Sequence, residues 1–116
     1  MGVGILPLSG STNGKPILLS GGTDTLHTAA ATVATTDQVY LWLCNSTGAE
    51  CRVDLYHGGG TAAELVLYQY LVPPNSRLVF VMPGFLLNNG LAVYAIATVT
   101  NIVTASGFVV RQLTGT

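Results

Sequence analysis

Side chains able to do chemistry are scarce in this chain. Its 116 residues hold two histidines, five carboxylates, four Lys or Arg and two cysteines. His57 stands just before Gly58-Gly59-Gly60, with no acid or nucleophile near it in sequence to complete a general-base pair. It reads as a histidine flanking a turn. His27, in Thr25-Leu26-His27-Thr28, reads as a surface or interface side chain, with a pH-dependent contact as a secondary use. Among the carboxylates Asp24, Asp37, Glu50, Asp54 and Glu64, no two form a recognisable catalytic pair. Asp24 and Asp37 lie beside Thr in expected turns, where an Asx carboxylate caps backbone N–H groups. The run Gly58–Gly60 would suit a phosphate only with Lys-Ser or Lys-Thr beside it and a helix after it. Here Thr61-Ala62-Ala63-Glu64 leads into a strand, so the run is expected to be a hairpin loop. Cys44 and Cys51 lack zinc-site spacing and read as small core residues. A disulfide between them would require export to an oxidising compartment. The expectation is a non-enzyme with no metal and no cofactor.

The elements that must carry these residues are unusual in composition. Charged residues make up 8% of the chain, against about 25% in an ordinary soluble domain. Hydrophobic residues reach 49%, which excludes a disordered chain. No stretch approaches the roughly 18 uninterrupted apolar residues of a spanning helix. The opening residues show no basic segment followed by an apolar one, so neither a membrane partner nor a secretory signal is expected. With a net charge of −1 and Lys15, Arg52, Arg77 and Arg111 scattered, nucleic acid is not an expected partner. A 12.0 kDa chain folded as one domain exposes roughly 6,000 Å², enough burial for a real core. So few charges leave little to keep a lone molecule dispersed, so other protein is expected to cover part of it.

Apolar residues recur at period two, and no segment holds a helical period with a cap. Strands are expected at Pro16–Ser20, Asp24–Ala29, Gln38–Asn45, Glu50–His57, Glu64–Val72, Ser76–Met82, Leu91–Thr98 and Ile102–Leu113. Turn residues separate them, among them Gly21-Gly22, Thr47-Gly48, Pro73-Pro74-Asn75, Pro83-Gly84 and Asn88-Asn89-Gly90. This spacing predicts an all-β, antiparallel β-sandwich of jelly-roll or immunoglobulin-like type over residues 16–116, preceded by an extended N-terminal arm over 1–15. A hairpin turning at Thr47-Gly48 would pair Cys44 with Cys51, Trp42 with Val53 and Tyr40 with Leu55. That register makes Tyr40, Trp42, Cys44, Cys51, Val53 and Leu55 the core face. Val39, Leu41, Leu43, Leu65 and Leu67 are then left on the opposite faces. Together with Ile5, Leu6 and Leu8 of the arm, they are the candidate interface toward other subunits or a larger assembly. Tyr56, Tyr68, Tyr70 and Tyr94 offer an alternative use, a stacking platform for sugars in a carbohydrate- or receptor-binding β-sandwich.

Four stretches carry a likeness to a known group: Leu8-Ser9-Gly10-Ser11-Thr12-Asn13-Gly14-Lys15-Pro16-Ile17, Leu26-His27-Thr28-Ala29, Val39-Tyr40-Leu41-Trp42 and Leu87-Asn88-Asn89-Gly90-Leu91. In these the chain resembles small structural proteins of tailed bacteriophages, and most of all the capsid decoration, or cement, proteins. The resemblance implies a β-rich virion protein on the outer surface of an icosahedral head, assembled in the host cytoplasm. It further implies binding to the major capsid protein at capsomer junctions as a homotrimer, with no catalytic residues. A neck or tail position is the neighbouring expectation within the same group.

Overall fold

Thr, Val, Leu and Tyr in alternation favour extended backbone. Nine strands form in the computed structural model, which describes residues 3–75 and 78–113. They are β1 (Val3–Pro7), β2 (Ile17–Leu18), β3 (Thr23–Thr28), β4 (Thr35–Asn45), β5 (Cys51–His57), β6 (Leu65–Val72), β7 (Val79–Leu87), β8 (Ala92–Ala97) and β9 (Val103–Leu113). One sheet runs β1-β9-β4-β7, with β2 on the same flank of β9 as β1. The other runs β3-β8-β5-β6, and every pairing is antiparallel.

The pairings β2–β9, β3–β8, β4–β7 and β5–β6 nest inside one another along the chain. This is one long antiparallel ribbon rolled so that its successive pairs fall alternately in the two sheets. The result is a jelly roll, which settles the choice against an immunoglobulin-like strand order. Between the sheets lies an aliphatic core that includes Leu19, Leu26, Val39, Leu41, Leu43, Val53, Leu55, Met82, Val93 and Val109, all fully buried. No Phe, Tyr or Trp ring belongs to the buried core among the described residues.

Three expectations change. The β4–β5 hairpin does not exist: β4 pairs with β7 and β9, and β5 with β6 and β8, so the connection crosses from one sheet to the other. Buried Asn45 organises that crossing. Its Nδ2 donates to Ala49 O at 2.7 Å and Val72 O at 3.2 Å, and its Oδ1 accepts from Thr47 N at 3.0 Å. Second, Pro83-Gly84 is no turn but a bulge inside β7. Gly84 has φ 94°, and a Cβ there would come 3.0 Å from the Tyr40 ring, so the strand continues only because glycine stands at that position. The strand expected from Ser76 begins at Val79, and Ser76 and Arg77 lie outside the described residues. Third, the N-terminal segment is not separate from the sandwich. Val3–Pro7 adds a strand to β9, and Leu8 is 1% exposed in the core. A boundary at residue 15 therefore does not divide the molecule.

Candidate functional site

In an antiparallel pair, directly opposed residues share a face. The register therefore places Tyr40 with Phe108 and Pro83, and Trp42 with Phe80 and Ser106, on the outside of the β1-β9-β4-β7 sheet. Gln38, Leu86, Val110, Ile5 and Leu18 share that outside face. Four rings form a row across β7, β4 and β9. Phe80 stacks on Trp42 at 4.6 Å between centroids, Trp42 lies 6.1 Å from Phe108, and Phe108 stacks on Tyr40 at 4.9 Å. Phe80 is 49% exposed, and around the row Ile5 is 74%, Leu18 50% and Leu86 63% exposed. No charged residue occupies an outward position of this sheet among the described residues. The face is wide, aromatic and uncharged.

The expected interface set is redistributed accordingly. Leu8, Val39, Leu41 and Leu43 are enclosed in the core of a single subunit, so no partner touches them while the fold is intact. Leu6, Leu65 and Leu67 are half-buried, with Leu6 and Leu67 packed on that core, and Ile5 alone of the set stands fully out. In β4 the two phases of the period are both apolar, and the aliphatic one goes inward, leaving the aromatic one outside. A signal was present. Gln38 shares the phase of Tyr40 and Trp42, and Thr104, Ser106 and Gln112 mark the outward phase of β9. Cys44, expected in the core, is on this outward phase and half-buried, whereas Cys51 is buried in the opposite sheet.

The opposite sheet has a different exterior, with Arg52, Asp54, Tyr56, Tyr94 and Ile96 facing out. Arg52 Nη1 donates to Gln69 O at 3.1 Å, and Asp54 Oδ1 accepts from Gln69 N at 2.7 Å. Together they clamp a bulge in β6 where Gln69 adopts φ 48°. Tyr56 lies directly across from Tyr94, and with Thr23, Gly60 and Ile96 they line an open cleft of about 180 Å³. Tyr68 is exposed at the β6 edge, and Tyr70 is half-buried against the core, so the four tyrosines form no single platform.

Two titratable residues sit where the sequence did not place them. His27, expected at the surface, is 1% exposed, and Asp37, expected to cap a turn, is fully buried. His27 Nε2 lies 2.7 Å from Asp37 Oδ2, and Arg111 donates from Nε to Oδ1 at 2.7 Å and from Nη2 to Oδ2 at 2.9 Å. Burial alone would raise the Asp37 pKa. The hydrogen bonds from Arg111 and His27, with the charge of Arg111, outweigh it and hold the carboxyl below its ordinary value. Asp24 does cap a turn, accepting from Ser20 N at 2.8 Å. His57, at the end of β5, bonds Leu86 O through Nε2 at 2.8 Å and meets the Phe85 ring edge-on. It borders an opening of about 320 Å³ shared with Thr36, Leu87, Asn88 and Leu91. Gly58–Gly60 lies in the β5–β6 hairpin, where Thr61 N donates to the Glu64 carboxylate at 2.9 Å.

Among the described residues, no three His, Cys, Asp or Glu side chains are grouped to hold a metal ion, and no helix is long and apolar enough to cross a membrane. Comparison with protein-family models, with curated proteins and with solved structures finds no match.

Proposed function

We propose that the chain is a structural virion protein, a capsid decoration protein that seats on the outside of an icosahedral phage head and bridges capsomers of the major capsid protein. The observation that carries this reading is the uncharged aromatic face of Phe80, Trp42, Phe108 and Tyr40. Contiguous exposed apolar surface of this kind marks protein–protein contact. The sheet edges support the same conclusion by exclusion. β1 is short and ends on Pro7, β3 is covered by Ser9 and Gly10, and β6 and β7 are bulged. Such devices block pairing through strand edges. Association is left to the face. Self-assembly as a homotrimer fits the area, since two neighbours at about 800 Å² each would leave most of the 5995 Å² surface for the shell. Jelly rolls are common among capsid proteins, an analogy of fold that adds weight without assigning a role.

The test is co-sedimentation with empty, expanded heads of the phage that encodes the chain. The wild type pellets with heads, and Phe80→Ser, which removes an exposed ring, weakens binding by at least about tenfold while keeping the wild-type melting curve. A folded wild type that leaves heads undecorated overturns the reading. The cleft between Tyr56 and Tyr94 favours one other reading, a carbohydrate-binding jelly roll. A specific glycan-array hit lost in Tyr94→Ala would establish it in place of the first.

A further inference from the structure

The buried His27 has a hydrogen-bond arrangement that only one protonation state satisfies. A carboxylate accepts and cannot donate, so Nε2, 2.7 Å from Asp37 Oδ2, carries a hydrogen. Ser9 N donates to Nδ1 at 3.1 Å, so Nδ1 presents its lone pair. The ring is therefore the neutral Nε2–H tautomer, and its single unprotonated position is the one that holds Ser9. The ring cannot turn to a new acceptor without leaving Asp37, which Arg111 fixes through two bonds.

We propose that His27 is an acid-operated latch on the N-terminal segment, in which a proton taken up at Nδ1 expels the Ser9 amide and loosens Leu8–Gly10 together with β1. Once Nδ1 bears hydrogen, two donors face each other against a ring that is itself 1% exposed, and one must move. The movable partner is Ser9. On the other side Asp37 stays ionised between His27 and Arg111, so that half of the network keeps its bonds. Asp37 from β4 and, through it, Arg111 from β9 are the charged groups facing the ring. Val93, its pairing partner on β8, and Leu8–Gly10 bring none, and Asp24 on its own strand is engaged by Ser20. The ties that remain to the segment are few. Thr28 N donates to Ser9 Oγ at 2.7 Å, Gly10 N donates to Leu26 O at 2.9 Å, and Leu8 is seated in the core. Beyond them β1 is a five-residue edge strand held on one flank only. An edge of this kind belongs to the part of a fold that opens locally before the core does.

The experiment is amide hydrogen exchange on the full chain labelled with ¹⁵N, at about pH 8 and about pH 5, with imidazole ¹⁵N shifts recorded in the same samples. As His27 passes from the Nε2–H tautomer to the doubly protonated ring, protection of Ser9 and Gly10 should fall at least about tenfold after correction for intrinsic rates. Protection of Leu41 and Val93 should hold within about twofold. His27→Gln cannot titrate, so its Ser9 protection should not change between the two conditions. Three results would overturn the proposal: His27 stays neutral at the lower pH, it titrates while Ser9 protection holds, or the Gln variant shows the same loss. Should that variant fail to fold, the wild-type shifts and protection factors decide the matter together.

Discussion

Neighbouring residues of β4 have opposite surroundings, and mutation should separate them. Leu41 is enclosed by aliphatic side chains, so Leu41→Ala is expected to cost about 2–5 kcal/mol through lost burial and the cavity left behind. Trp42 is half-buried between Phe80 and Phe108, and Trp42→Ala is expected to cost only about 1–2 kcal/mol, the stacking plus part of its burial. Urea denaturation of the two variants checks the order, and a larger loss at Trp42 would mean that the strand is inverted. Asp37 gives a pH prediction. Its folded pKa lies below the ordinary carboxylate value, so the unfolded state binds the proton more tightly. Its contribution to stability is complete above the unfolded pKa and is lost as pH falls through the folded one. The urea midpoint of the wild type should therefore drop on acidification below about pH 4, and Asp37→Asn should flatten that drop while starting from a less stable fold.

At the scale of elements, the edges decide how strands avoid one another. Eight residues of β6 carry no charge and no proline, the composition of a strand that recruits copies of itself. The bulge at Gln69 interrupts that edge, and Asp54 and Arg52 hold the bulge from the neighbouring strand. Asp54→Ala should free Gln69 to straighten and turn a monodisperse protein into one that aggregates on warming, measured by light scattering at temperatures where the wild type stays clear. Unchanged scattering in a folded variant would show that the bulge is held by backbone geometry alone. Within the other sheet, Gly107 works by absence. A Cβ there would stand 2.0 Å from Tyr40 O, so only glycine lets β9 lie this close to β4.

On the scale of the whole molecule, the N-terminal segment shows how one chain can be anchored at one point and exposed at the next. Leu8 fills the core while Ile5, three residues earlier, lies on the outer face. Leu8→Ala should cost about 2–5 kcal/mol of stability, and Ile5→Ser should change it by less than about 0.5 kcal/mol. Because Ile5 lies on the face proposed to meet the head, Ile5→Ser should nonetheless weaken co-sedimentation with empty heads. A wild type that remains monomeric at micromolar concentration would remove the trimer from the proposed function.

Period-two patterning and turn residues suffice to place seven of the eight strands from Ile17–Leu18 through Val103–Leu113, all but β7, near their observed bounds, because both are local properties of the backbone. The all-β sandwich follows from them. They also locate the β5–β6 hairpin, whose strands are joined by a short loop. Within Gln38–Cys44 of β4 a single polar residue, Gln38, marks the outward phase, so Tyr40 and Trp42 look nearly as buriable as Val39, Leu41 and Leu43 until β9, with polar Thr104, Ser106 and Gln112 in that phase, is laid beside them. Local signals cannot show that β4 and β5, six residues apart, belong to different sheets, since buried Asn45 directs that crossing through a contact with distant Val72. His27, Asp37 and Arg111 are separated by 10 and 74 residues, and only the rolled ribbon brings them together. Pairing between remote segments sets the phase of each strand, and the phase determines which side chains the molecule offers to a partner.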